Sequence, residues 1–338
     1  MIDSKIVKKI LNNLLKSGGN FAELFCQKKV LNTLNLDDGK IENASSGFEL
    51  GCGLRLIYRD STYYAYVDSF EKDKLLDAAK ILSSAINSSS AIKVLNLEQR
   101  ASLKPLIIKK IPSDISQQTK SNYLLEANDA ARNYNENVIQ VSASISDIDN
   151  EEYIANSDGF FSINHNFKVF FAVNVIAAKN KQIRTGYKSE GKTCGYEIFD
   201  YKKPSDIAKE AARIAVTMLD AINAPSGSFP VVIGPGFGGV IFHEACGHGL
   251  EADAIIKDAS VYKDSIGKKI ANEKVTAIDN ADMDYHWGSY KFDSEGFPAQ
   301  STTLIKDGIL LAYLTDYKSS KKLNIKQTGN GRRQSFRD

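Results

Sequence analysis

The chain has 338 residues, a length typical of about two domains. Hydrophobic residues make up 43% and charged residues 25%, so the chain has enough apolar material for a large core. Disordered, collagen-like and disulfide-stapled architectures are excluded by that composition. The net charge of +2 excludes a strong overall attraction to nucleic acid or to anionic membranes.

The first two thirds of the chain predict strands and long helices in alternating groups. Ile6, Ile10 and Leu14 recur at helical spacing among lysines, which indicates an amphipathic first helix rather than a targeting segment. Stretches rich in β-branched and aromatic residues predict strands over residues 22–36, 48–58, 61–67, 138–145, 151–156 and 167–178. Periodic stretches rich in Ala and Leu predict helices over residues 75–87, 117–134 and 206–222. Strands followed by a helix, twice, indicate an α+β fold with long helices packed on a sheet.

The breaker Asn-Ala-Pro-Ser-Gly at residues 223–227 predicts a domain boundary. Residues 1–225 are expected to form an N-terminal α+β domain of sheet and long helices. Residues 226–338 are expected to form a second, mostly β domain. The longest apolar stretch, residues 169–178, is interrupted by Asn174 and is too short to span a bilayer, so no membrane association is expected.

The cysteines give a prediction about the cellular compartment. The four of them are widely spaced and form no C-x-x-C pair: Cys26, Cys52, Cys194 and Cys246. With no export signal and no close spacing, the sequence predicts reduced thiols and a cytoplasmic protein.

Residues that suit chemistry are concentrated in the stretch PGFGGVIFHEACGHGLEAD, residues 235–253. A predicted strand over residues 230–233 leads through a glycine-rich turn into an apolar helix. His243, Glu244 and His248 form an H-E-x-x-x-H pattern, one residue longer than the H-E-x-x-H motif of zinc proteases. On a regular helix, residues five apart differ by about 140° around the axis. The two imidazoles therefore reach one metal ion only if the helix is distorted, either by a break at Gly247 or by a π-bulge.

This pattern predicts metal-assisted hydrolysis of an amide bond. His243 and His248 would hold one Zn²⁺ per chain, which would activate water and polarise the scissile carbonyl. Glu244 would accept the proton of the water and pass it to the leaving amine. Glu251 and Asp253 could orient the histidines, and a polar helix exit explains them equally well. The alternative for the histidine pair is two satisfied polar residues on a buried helix.

These residues resemble the TldD/PmbA family of zinc metallopeptidases. The similarity continues through residues 260–282, the stretch DSEGFPAQSTTLIKDGILLAYLTDYKSSKKL and the closing TGNGRR. Because the metal motif is present, the resemblance is to the TldD-type catalytic subunit. It implies that His243 and His248 are zinc ligands and that Glu244 is the acid/base. It also implies a peptide or unfolded-protein substrate, and a dimer with a homologous PmbA-type subunit or with a second copy.

The sequence departs from the family at the third zinc ligand. In the family this ligand is a cysteine in the far C-terminal part, and none of the four cysteines of this chain matches that motif. The chain stops at Asp338, short of the family's usual length. The expectation is therefore an incomplete second domain, weak zinc binding by two histidines and impaired hydrolysis. The alternatives are a non-catalytic binding or assembly subunit, or the remnant of a disrupted gene.

The end of the chain is basic. Residues 318–338 contain seven lysines and arginines and one aspartate, which invites a nucleic-acid interpretation. However, this stretch has a single aromatic residue, Phe336, and no recognisable nucleic-acid-binding motif. The sequence therefore predicts a solvated face here, or groups that face further strands, rather than a nucleic-acid site.

Overall fold

The computed structural model describes residues 3–86, 93–99 and 106–338, and it has the predicted α+β fold. The α-helices are α1 Ser4–Leu14, α2 Lys72–Ser84, α3 Gln117–Arg132, α4 Ile198–Tyr201, α5 Pro204–Leu219, α6 Gly239–Phe242, α7 Ala252–Ile256 and α8 Tyr317–Leu323. The strands are β1 Phe21–Asp37, β2 Lys40–Tyr58, β3 Ser61–Val67, β4 Glu98–Gln99, β5 Val138–Asn156, β6 Phe160–Lys179, β7 Gln182–Lys192, β8 Ala277–Asn280, β9 Ser301–Lys306 and β10 Ile309–Leu310. Residue 87, the predicted end of the second helix, lies outside the described residues. No helix of the described ranges is both long and apolar enough to cross a membrane.

One sheet of seven strands dominates the N-terminal region, which we define as residues 3–225. Its order is β3-β2-β1-β5-β6-β4, with β7 also paired to β6. The strands β1, β2, β5 and β6 are each 17 to 20 residues long, so the predicted gap before residue 48 and the predicted break at residues 146–150 are both wrong. Residues 40–48 are exposed and mostly polar, and β5 carries a buried aspartate, Asp147, that is neutralised by Lys120 at 2.6 Å. Neither stretch therefore shows the apolar alternation that marks a half-buried strand.

The long helices all pack on one face of this sheet. α1 and α2 pack over the start of β1 at Leu24, whereas α3 and α5 pack over the end of β1 at Leu36. Both of these positions are even-numbered, and side chains alternate between the two faces of a strand. The odd-numbered positions therefore face away from the helices. There Phe25 packs against Phe292 and Phe336, which belong to the C-terminal region, residues 226–338.

The hairpin of β1 and β2 places Cys26 opposite Cys52, and the two residues form a disulfide. The prediction of reduced thiols is wrong for this pair. The two cysteines are 26 positions apart in the sequence, so no short motif indicates the pairing that the strand register produces. Cys194 and Cys246 are free.

The C-terminal region is smaller, with a three-stranded sheet in the order β10-β9-β8. Its apolar cluster includes Leu250, Ile305 and Leu310. Residues 230–233, which were predicted as a strand, have no regular secondary structure, and Val232 is 97% exposed. The prediction fails because a β-prone sequence forms a strand only where a partner strand lies beside it, and none of the described strands does so here.

Four buried charged residues, which we call the joint, connect the two regions. Arg55 bonds Glu23 at 2.8 Å and Glu295 at 2.6 Å, and Arg333 also pairs with Glu23. The side chain of Arg333 is only 7% exposed, and Phe336 is fully buried. The predicted solvated face is therefore wrong at these two positions, because the basic charge of Arg333 is matched by a glutamate some 300 residues earlier.

Candidate metal centre

The motif forms a distorted helix. The α-helical turn α6 continues into a π-helical turn over His243–Gly247 and then a 3-10 turn over His248–Leu250. The N–H of His248 donates to the carbonyl of His243, the i→i+5 bond of a π-helix. The predicted distortion is thus confirmed, and of its two alternatives, a break at Gly247 or a π-bulge, the structure has the π-bulge. Gly247 has a helical φ of −55°, so the distortion does not use the conformational freedom of glycine.

The distortion brings three potential ligands together. The ligand atoms of His243, Glu244 and His248 all lie within 4.8 Å of one another. The two imidazole rings are 4.5 Å apart, and Glu244 Oε2 lies 3.8 Å from His248 Nε2. The side chains of His248 and Glu244 are 53% and 66% exposed. The alternative of satisfied polar residues on a buried helix therefore does not describe this segment.

One of the two predicted orienting carboxylates lies against a histidine. The helix ends at Glu251, where the backbone becomes extended, and Glu251 Oε1 comes within 2.8 Å of His248 Nδ1. A carboxylate on Nδ1 fixes the ring and leaves Nε2 free as a ligand. Asp253 does not contact either histidine. It lies on α7, and its carboxylate pairs with Lys257 at 3.4 Å.

The donor set suits a transition metal such as zinc. Two imidazoles and a neighbouring carboxylate are nitrogen and oxygen donors that Zn²⁺ accepts. Cys246 is not part of the cluster. Its side chain hydrogen-bonds Tyr262, and this bond is the main cause of the raised pKa of that phenol. No second group of three such side chains occurs in the part of the chain that the structure describes.

The motif is anchored at its C-terminal end. Leu250 is fully buried, its carbonyl accepts from Leu314 N–H at 2.9 Å, and Ala252 N–H donates to the Leu314 carbonyl at 2.8 Å. The residues before the motif are exposed to solvent. Their large apolar side chains are all at least 39% exposed: Phe229, Val231, Val232, Ile233, Phe237, Val240, Ile241 and Phe242. The cluster is therefore fixed by packing and hydrogen bonds on its C-terminal side and exposed to solvent on its N-terminal side.

Sequence analysis missed a buried acidic pair, which consists of Asp293 and the joint residue Glu295. Asp293 accepts hydrogen bonds from the backbone N–H groups of Glu295, Phe297 and Gly331. Burial, together with the charge of Glu295, raises the pKa of Asp293 to about 7. Glu295 also accepts from the backbone N–H of Tyr317 at 2.7 Å. The sequence signal for this pair is weak: two acids in the short stretch FDSEGF, residues 292–297.

Comparisons with known proteins assign the chain to a class. Models of the PmbA/TldA metallopeptidase family match residues 22–89 as domain 1, residues 110–219 as the central domain and residues 226–338 as the C-terminal domain. The "Metalloprotease TldD homolog" of Buchnera aphidicola subsp. Schizaphis graminum is 31% identical over 327 residues, covering 94% of this chain and 67% of the relative. That of Haemophilus influenzae is 32% identical over 330 residues, with the same two coverages. By resemblance to these relatives the chain is a metallopeptidase.

Solved structures show the same fold. A Thermotoga maritima protein described as a proposed modulator of a DNA gyrase matches with a TM-score of 0.78 and 19% identity, covering 98% of this chain and 75% of the other. TldE from Thermococcus kodakarensis matches with a TM-score of 0.74 and 17% identity, covering 97% and 74%. The chain belongs to the TldD/PmbA family, and it spans about two thirds of the length of the curated relatives described above.

Proposed function

We propose that the chain is a zinc-dependent peptidase subunit that hydrolyses peptides or unfolded segments. The observation that carries this proposal is the clustering of His243, Glu244 and His248 within 4.8 Å on a solvent-exposed π-helical turn. Zn²⁺ bound there would supply Lewis acidity, which polarises a scissile carbonyl and makes water a better nucleophile at neutral pH.

The side chains divide the work. His243 and His248 would hold the ion, and Glu251 keeps His248 Nε2 available by occupying Nδ1. Glu244 Oε2 lies 3.8 Å from His248 Nε2, which places it to take a proton from the attacking water. Glu244 would then pass that proton to the leaving amine.

The proposed site is weaker than a complete one. Catalytic zinc usually has three protein ligands, and the chain offers two histidines with Glu244 beside them. We therefore propose that this chain alone binds zinc weakly and turns over slowly. We also propose domains at residues 1–225 and 226–338, which the family match beginning at residue 226 supports.

A partner and a location complete the proposal. We propose a dimer with a homologous PmbA-type subunit, or with a second copy of this chain, as the family resemblance implies. The cytoplasm is the proposed location: the free thiols of Cys194 and Cys246 favour it, whereas the Cys26–Cys52 disulfide counts against it. Cell fractionation tests the location, and analytical ultracentrifugation tests the dimer.

The deciding experiment replaces Glu244 with Ala in the full chain. We expect zinc binding to remain within about threefold and hydrolysis of a quenched fluorescent peptide to fall about 100-fold or more. Glu273→Ala, an exposed glutamate paired with Lys269 on another segment, is the control and should change neither property. Hydrolysis that survives Glu244→Ala contradicts the assigned base. Zinc binding without any hydrolysis by the wild-type chain, together with capture of a homologous subunit, supports the binding-subunit alternative instead.

A further inference from the structure

The candidate metal centre lies on a segment with little packing of its own. His243, Glu244 and His248 are all exposed, and so are the large apolar side chains that precede them. A segment with few buried contacts and solvent-exposed backbone hydrogen bonds opens easily. The two imidazoles therefore stay close together only if another part of the chain holds the backbone that carries them.

Two residues that follow α7, Ser260 and Tyr262, contact the motif, and we call them the clasp. The Ser260 hydroxyl donates a hydrogen bond to the carbonyl of Gly249 at 2.5 Å. The same hydroxyl oxygen accepts from the backbone N–H of Tyr262 at 3.1 Å. One side chain thus ties the 3-10 turn that begins at His248 to the backbone of the clasp.

The ring of Tyr262 packs directly on Gly249. A Cβ atom at position 249 would lie 3.0 Å from both Cδ2 and Cε2 of that ring, and 3.5 Å from Ser260 Oγ. Carbon atoms in favourable contact are about 3.5–4.0 Å apart, so a side chain at this position would push the ring away. The close contact between the clasp and the motif therefore requires the glycine.

The phenol of Tyr262 reaches a second point of the motif, Cys246. This cysteine lies in the π-helical turn and is half-buried, whereas the three potential ligands around it are exposed. Its side chain hydrogen-bonds Tyr262. Cys246 precedes His248 by two residues, and Gly249 follows it directly. The clasp therefore holds the backbone on both sides of this histidine.

The clasp is itself anchored to the core of the C-terminal region. The hydroxyl of Tyr313 donates to the carbonyl of Tyr262 at 2.5 Å, and it accepts from the backbone N–H of Ser265 at 3.4 Å. Tyr313 is only 5% exposed and belongs to the apolar cluster of this region. A continuous series of contacts thus leads from the core through Tyr262 to the residues beside His248.

We propose that Ser260 and Tyr262 are positioning residues for the metal centre, which hold Cys246 and Gly249 so that the His248 imidazole stays beside that of His243 before a metal ion binds. A site that is ordered in advance binds more tightly, because binding does not have to order it. The inference rests on the proposed function, which makes these histidines metal ligands. It adds residues that the metal motif itself does not contain.

The first test measures the zinc affinity of the full chain by competition with a chelating dye, so that it does not depend on hydrolysis. Tyr262→Phe keeps the ring and removes the hydroxyl that bonds Cys246, and Cys246→Ala removes the other partner. Each change should lower the zinc affinity about tenfold. The double variant should also lose about tenfold rather than about 100-fold, because both changes remove the same bond.

Cys246→Ser distinguishes positioning from direct ligation by the thiol. A serine hydroxyl can hydrogen-bond Tyr262, and it lacks the soft sulfur that zinc prefers in a cysteine. This variant should keep the zinc affinity within about threefold of the wild-type value. If it loses as much as Cys246→Ala while Tyr262→Phe loses nothing, the thiol binds the metal itself and the inference is overturned.

The second test uses the metal-free chain and follows hydrogen–deuterium exchange by mass spectrometry. Residues 243–250 should exchange about tenfold faster in Tyr262→Phe and in Ser260→Ala than in the wild-type chain. Tyr290→Phe is the matched control, since its hydroxyl also donates to a backbone carbonyl, that of Gly329 at 2.7 Å, and it should change neither the exchange nor the zinc affinity.

The inference is overturned if Tyr262→Phe leaves either the zinc affinity or the exchange of residues 243–250 unchanged. It is also overturned if Tyr290→Phe has the same effects, because the loss would then be a general one. Loss of both properties in Tyr262→Phe alone supports the inference, even if Glu244→Ala shows that the proposed hydrolysis is wrong.

Discussion

The joint and the metal cluster use the same kinds of side chain in opposite environments. At the joint, Glu23 and Arg333 are 0% and 7% exposed, and every carboxylate faces a guanidinium. In the cluster, Glu244 and His248 are more than half exposed. A buried charge with its partner fixes two parts of a chain against each other, whereas an exposed group keeps its lone pairs available for a ligand. Burial thus separates the charges that hold the structure from those that suit chemistry.

Removing one member of the joint should have the largest effect. Glu23→Ala leaves Arg55 with only Glu295 and removes the buried carboxylate that pairs with Arg333. We expect the free energy of unfolding to fall by about 3–5 kcal/mol, measured by urea denaturation. The control is Asp77→Ala, which breaks the exposed pair with Lys80 and should cost less than about 1 kcal/mol. Equal losses in the two variants would contradict the importance of burial.

The acidic pair formed by Asp293 and the joint residue Glu295 should make stability depend on pH. The pKa of Asp293 is about 7 in the folded chain against an ordinary value of 3.8, so the folded state binds a proton more tightly than the unfolded state does. This stabilisation is complete below about pH 4 and is lost as the pH rises through about 7. The loss should be on the order of 4 kcal/mol.

Urea denaturation between pH 4 and pH 8 measures this dependence. Asp293→Asn keeps an oxygen that can accept a backbone hydrogen bond and removes the titrating proton. The variant should therefore show a flatter profile than the wild-type chain. Parallel profiles for the two proteins would show that other groups cause the dependence.

A change at the cluster should affect zinc and not the fold. Glu251→Ala removes the carboxylate at 2.8 Å from His248 Nδ1, and we expect zinc affinity to fall about 10- to 100-fold in competition with a chelating dye. The free energy of unfolding of the zinc-free protein should change by less than about 0.5 kcal/mol, because the side chain is 44% exposed. A large loss of stability would contradict this prediction, because it would mean that Glu251 stabilises the fold, as the joint does.

The cluster was predictable because its information is local. Six consecutive residues, from His243 to His248, contain both the ligands and the spacing that requires a distorted helix. The main helices of the N-terminal region were predictable for the same reason, since helical periodicity is a short-range pattern. Whether these residues hold zinc and cleave peptides stays a prediction.

The joint and the disulfide were not predictable in this way. Glu23 and Arg333 lie 310 positions apart, and Arg55 and Glu295 lie 240 apart. Only the strand register and the packing of the C-terminal region bring such residues together. The prediction of a strand at residues 230–233 is wrong for the converse reason. The local pattern favours a strand, but none of the described strands lies beside these residues to pair with them.

The separation of Glu23 and Arg333 has a consequence for the order of events on the ribosome. A chain grows at roughly 5–20 residues per second, so about 15–60 seconds pass between the synthesis of these two residues. During that interval the first sheet can form, with Glu23 and Arg55 already paired across β1 and β2. The open face around Phe25 stays uncovered until the C-terminal region emerges, first with Phe292 and then with Phe336. The nascent protein thus exposes an apolar surface for most of its synthesis, and a chaperone that binds such surfaces would have its longest opportunity there.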